Sequence, residues 1–117
     1  MKTILLLFFV LLLSAQSYTL FTSCNPCQAG VSMDVLGSGY PPNLGGYDKS
    51  IALVFDCVWD IGQSSSFSAG AHNDAFGNLY SEGTLVAGHC HISSYIPQGK
   101  KAHRTWIYAA STDVVIQ

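Results

Sequence analysis

His89 and His91, one residue apart, are the first candidates for chemistry in this 117-residue chain. In a strand, side chains two apart share a face, so both imidazoles would point one way and Val86, Cys90 and Ile92 the other. Two imidazoles on one face begin a metal site, which His72, His103 or Asp74 would complete. On an open strand the same pair is simply solvated. No cofactor is expected. As a proton donor His91 would need a base, and Asp56, Asp60 and Glu82 are the carboxylates to consider. The Gly-x-Ser-x-Gly pattern of a serine nucleophile is absent. Lys100, Lys101, His103 and Arg104 form a compact basic cluster beside Trp106 and Tyr108. Basic groups interleaved with aromatics can hold a nucleic-acid strand or another polyanion; otherwise they cap a solvated hairpin. Tyr40 and Tyr47 flank a proline–glycine turn and complete the contact candidates.

These residues need a scaffold, and the start of the chain says where it is built. Lys2 precedes an unbroken apolar run, Ile4 to Leu13, and Ala15-Gln16-Ser17 supplies small residues before a cut. That is the pattern of a secretory signal over residues 1–17, too short in its apolar part to span a bilayer. The domain is then residues 18–117, with four basic side chains against seven acidic ones. A mildly acidic domain is not a general nucleic-acid binder, because phosphate binding is driven by Lys and Arg. Cys24, Cys27, Cys57 and Cys90 all lie in it, and an even count in a small secreted chain implies two disulfides. Three pairings are open. Closing long loops removes more unfolded-state entropy, which favours joining Cys24 and Cys27 to Cys57 and Cys90. A redox or zinc role for the Cys24–Cys27 pair lacks the helical context that such motifs need.

The elements are mostly strands. Ile51, Leu53, Phe55, Cys57, Trp59 and Ile61 alternate with Asp56 and Asp60, the period-two pattern of a strand with one buried side. Val31–Leu36 reads as an edge strand and Gln63–Ser66 as a polar loop. Leu79-Tyr80 and Leu85–Ile92 read as a strand pair around residues 81–84. Thr105–Ala110 and Val114–Ile116 read as two more strands. The expected class is mainly β, with α+β left open if a short helix forms: a small antiparallel sheet domain held by disulfides.

Three stretches, in order, resemble the small secreted fungal ribonucleases, the guanyl-specific enzymes and the related ribotoxins. Tyr40–Asp48 is similar to that family's run of Tyr-Pro-His, a few residues, then Tyr and an acidic residue. Ser68–Phe76 is similar to its Ser-Pro-Gly-Ala run, and Val86–His91 to its apolar pair, Gly and His. The strand with Trp59 and Ile61 falls where the family carries its catalytic glutamate. Carried over by position, however, the first histidine is Pro42, the glutamate falls near Val58 and the arginine near Asn73. Only His91, or His89, remains to protonate a leaving oxygen. Proline and valine exchange no protons, so the base and the cation of phosphodiester cleavage are missing. The cysteine positions differ as well, and Cys27 to Tyr40 leaves no room for the family's helix.

The resemblance therefore implies a ribonuclease-like fold with most of its chemistry lost, similar to ribonuclease-like secreted effectors of plant-pathogenic fungi. The expected function is non-catalytic binding of a host or extracellular macromolecule, nucleic acid included, by a secreted monomer without a membrane anchor. Tyr40, Tyr47, Lys100, Lys101 and Arg104 are its contact points. The alternatives are a weak ribonuclease acting through His91 and a metal-binding protein acting through His89 and His91.

Overall fold

The computed structural model describes residues 17–42, 50–99 and 101–117. Residues 1–16 of the expected signal lie outside that range, as do Tyr47 and Lys100. No described helix is long and apolar enough to cross a membrane. The fold is all-β. Strands β1 (Thr19–Thr22), β2 (Met33–Ser38), β3 (Ile51–Trp59), β4 (Ser64–Asn73), β5 (Leu79–Gly83), β6 (Gly88–Gln98) and β7 (Thr105–Ile116) form one sheet in the order β1-β2-β5-β4-β3-β6-β7. Every neighbouring pair is antiparallel. The one described helical turn is a 3-10 turn at Lys101–His103.

Alternation in the sequence sets the inside of this sheet. Ile51, Leu53, Phe55 and Cys57 of β3 are buried, and their inward neighbours are Met33 and Val35 of β2, Cys90 and Ile92 of β6, and Val114 and Ile116 of β7. Each fully buried Ile or Leu contributes about 1.5–3 kcal/mol, and Ile51, Leu53 and Ile92 are all 0% exposed. The sheet curls until its ends meet. Residues after β1 run alongside the end of β7: Cys27 N–H donates to Val115 O (2.7 Å), Gln117 N–H to Cys27 O (2.8 Å) and Ala29 N–H to Gln117 O (2.7 Å). The Asn25 side chain extends this contact, accepting from Val115 N–H (3.1 Å) and donating to Asp113 O (3.3 Å). The result is a nearly closed barrel around one apolar core.

Several expectations change. The disulfides join Cys24 to Cys27 and Cys57 to Cys90, the pairing that the loop-entropy argument disfavours. Proximity in the native fold decides it. Cys57 and Cys90 are direct cross-strand partners on the inner face of β3 and β6, with Cα atoms 4.1 Å apart. Residues 79–92 are not a hairpin either. β5 pairs with β2 and β4, and residues 84–87 cross to β6, which pairs with β3 and β7. β2 is an inner strand, flanked by β1 and β5. The polar run at Ser64–Ser66 is strand, because β3 needs a partner along its whole length: Val58 pairs with Ser64 and Asp56 with Ser66. The two C-terminal strand candidates are one strand, β7, with a register shift opposite Ser94/Tyr95.

Candidate functional site

Two surfaces carry the sequence-derived candidates. The first is the far end of the β6–β7 hairpin. There Tyr95 pairs with Tyr108, Ile96 with Ile107, Pro97 with Trp106 and Gln98 with Thr105. Paired residues share a face, so Tyr95, Tyr108, Pro97 and Trp106 lie on one side and Ile96, which is buried, on the other. Trp106 is 48% exposed and Tyr108 55%. Tyr108 meets Tyr95 edge-on with centroids 6.0 Å apart, and its hydroxyl donates to Ser111 Oγ (2.9 Å). The Arg104 guanidinium sits 6.0 Å from the Trp106 ring centroid. The basic segment is the connection between these two strands, with His103 exposed beside Arg104. The hairpin thus presents an aromatic face with Arg104 beside the Trp106 ring.

The second surface is the outer face of β3, β6 and β7. Asp56, His91 and Asp113 form one cross-strand row, and Val58, His89 and Val115 the next. His91 Nδ1 is 2.7 Å from Asp113 Oδ1. Asp56 accepts a hydrogen bond from Ser66 Oγ. With Asn25, these residues line an open hollow of about 360 Å³. Asp113 was not among the carboxylates expected beside His91. Treating residues 85–116 as one hairpin bent at the basic cluster would have brought it there. Asp60 falls in the turn after β3, and Glu82 lies on β5, accepting from the Tyr80 hydroxyl (2.6 Å). Among the described residues no group of three His, Cys, Asp or Glu side chains is arranged to hold a metal ion.

Tyr40 is not on either surface. It is 3% exposed, and its hydroxyl is 2.7 Å from Ser94 Oγ. Ser94 Oγ also donates to Ala110 O (3.2 Å) and accepts from Ala110 N–H (3.1 Å), so its one proton is used and the Tyr40 hydroxyl donates. Burial pushes the Tyr40 hydroxyl above its usual pKa, although the Ser94 bond opposes the shift. The chain matches no protein-family model and no curated protein sequence.

Proposed function

We propose that this is a secreted, effector-like binding protein without catalysis, which holds an anionic host or extracellular macromolecule on the aromatic face of the β6–β7 hairpin. The observation that carries the reading is the exposed Trp106 and Tyr108 on one face with Arg104 over the Trp106 ring. Trp, Tyr and Arg are the side chains that most often dominate binding energy, and here the three stand together at one end of the hairpin. Stacking supplies about 1–3 kcal/mol per base or ring, and the cations supply a salt-dependent attraction. Fluorescence anisotropy with a labelled single-stranded RNA, and retention on immobilised heparin, test it. Trp106→Ala and Arg104→Ala should each weaken binding severalfold, and added salt should weaken the wild type. Equal binding by wild type and both variants would remove the hairpin from the interface.

A second reading, slow phosphodiester cleavage, is favoured by one observation: Asp113 engages His91 Nδ1, with Asp56 across the strand. A carboxylate on one ring nitrogen orients the other for proton transfer. Cleavage of RNA by the purified protein, abolished in His91→Ala but kept in Trp106→Ala, would establish this reading in place of the first.

A further inference from the structure

Between β4 and β5 the sheet is split. The two strands meet only beside their turn, where His72 pairs with Tyr80 and Asn73 with Leu79. From there β5 follows β2 to Gly83 and β4 follows β3 back to Ser64. Among the described residues, β4 from Ser64 to Ala71 is therefore paired on one edge alone. The split opens over a hollow of about 210 Å³, walled by Met33, Val35, Phe55, Phe67, Ala69 and Leu85. Phe55 and Phe67 stack face to face there, with centroids 4.9 Å apart. Glu82 stands at the rim, and its register partner on β2 is Asp34.

Edge strands are normally guarded by charge, proline or a bulge. The stretch from Ser64 to Ala71 has neither charge nor proline, and its pairing with β3 runs without a register shift. Among the described residues, the N–H and C=O groups on its other edge meet no strand, and they call for another backbone. The hollow is smaller than the roughly 300–1,000 Å³ of drug-sized ligand sites, which suits one side chain better than a whole small molecule. A small apolar molecule would also leave the backbone edge unmet. A second copy of β4 fits poorly, because its one large side chain, Phe67, already packs on Phe55. The outer face at the rim is acidic on both β2 and β5.

We propose that this split is a strand-addition site for an extended segment of a partner protein. The segment pairs with the free edge of β4, sends one apolar side chain into the hollow and turns flanking Lys or Arg residues outward to Asp34 and Glu82. Alternating side chains of one strand satisfy both demands, since successive residues face opposite sides. The site shares no residue with the β6–β7 hairpin.

The test is amide hydrogen exchange on the full disulfide-bonded protein, with and without the capped heptapeptide Thr-Val-Lys-Phe-Lys-Val-Thr and versions with Leu, Ile or Trp at its centre. Exchange between residues 64 and 71 should slow at least about tenfold at saturation. Backbone N-methylation of the peptide, which keeps every side chain, should remove that protection. Ala69→Phe, which fills the hollow, should abolish binding, and Glu82→Gln should weaken it severalfold. The proposal is overturned if no peptide of the set slows exchange on β4, or if the N-methylated peptide binds equally well. Protection of β4 that rises with protein concentration alone would also overturn it, by assigning the edge to a second copy.

Discussion

Ser94 and Tyr40 show how one polar pair is kept inside an apolar core. Ser94 Oγ serves three groups at the bend of β6 and β7, including both backbone groups of Ala110. Removing a buried partner costs more than the bond it made, because the others are left dry. Ser94→Ala should therefore cost about 1–3 kcal/mol and Tyr40→Phe about 1 kcal/mol, as read by urea unfolding. The pH dependence has a definite sign. Burial raises the Tyr40 pKa in the folded state above 10.0, so the folded protein holds this proton more tightly than the unfolded chain does. Its contribution is complete below pH 10 and is lost as pH rises through the raised folded value. Tyr80, held by Glu82, is also pushed up, to about 12. In a Tyr80→Phe background, then, adding Tyr40→Phe should flatten the alkaline decline of stability. A decline that persists unchanged would mean that Tyr40 does not titrate as a buried group.

The turn between β4 and β5 shows the same dependence at the level of an element. Asp74 accepts from the N–H groups of Phe76 (2.8 Å) and Asn78 (2.9 Å), closing the turn with one carboxylate. Hydrogen bonds from the Asn78 backbone, ahead of those from Phe76, hold the Asp74 carboxyl below its usual 3.8. That contribution is present above pH 3.8 and disappears as pH falls through the lowered folded value. Asp74→Ala should lower the melting temperature at neutral pH, with the gap to wild type closing in acid. Gly77 ends the same turn at φ +81°, and a Cβ there would overlap Tyr40 O. Gly77→Ala should cost about 1–3 kcal/mol, measurable by thermal unfolding. Sequence pattern serves some elements better than others. β3 is legible because its alternation reports a buried side. β4 begins with three serines and reports nothing, since its strand character comes from the partner it pairs with.

For the whole molecule the disulfides divide the work unequally. Cys57–Cys90 spans 33 residues and Cys24–Cys27 spans 3. By loop-closure entropy the first stabilises by about 3.5 kcal/mol and the second by about 1.5 kcal/mol. The double variant Cys57→Ala/Cys90→Ala should therefore unfold at distinctly lower urea than Cys24→Ala/Cys27→Ala. The reverse order would show that the small loop, which carries the Cys27 contact to β7, governs closure of the barrel. That closure lies outside sequence reading altogether, because it joins Cys27 to Ile116 across nearly the whole domain.

By itself the sequence determined a mainly β class, the inner face of β3 from Ile51 to Cys57 and that of β6 at Cys90 and Ile92, and the use of all four cysteines in two disulfides; Ile61 and Val86, expected on those inner faces, lie beyond the strands and are 78% and 59% exposed. The properties it determined are local: period-two alternation, an even cysteine count, a basic cluster between two apolar runs. The outward pair His89 and His91 was equally legible, since parity along one strand needs no partner. Tertiary structure alone decided which cysteine met which, that Asp113 and not Asp60 or Glu82 stands beside His91, and that Tyr40 turns inward to Ser94. Each of these depends on strand order and register. Both are set by how several half-apolar strands bury their inner faces together, which no single segment encodes.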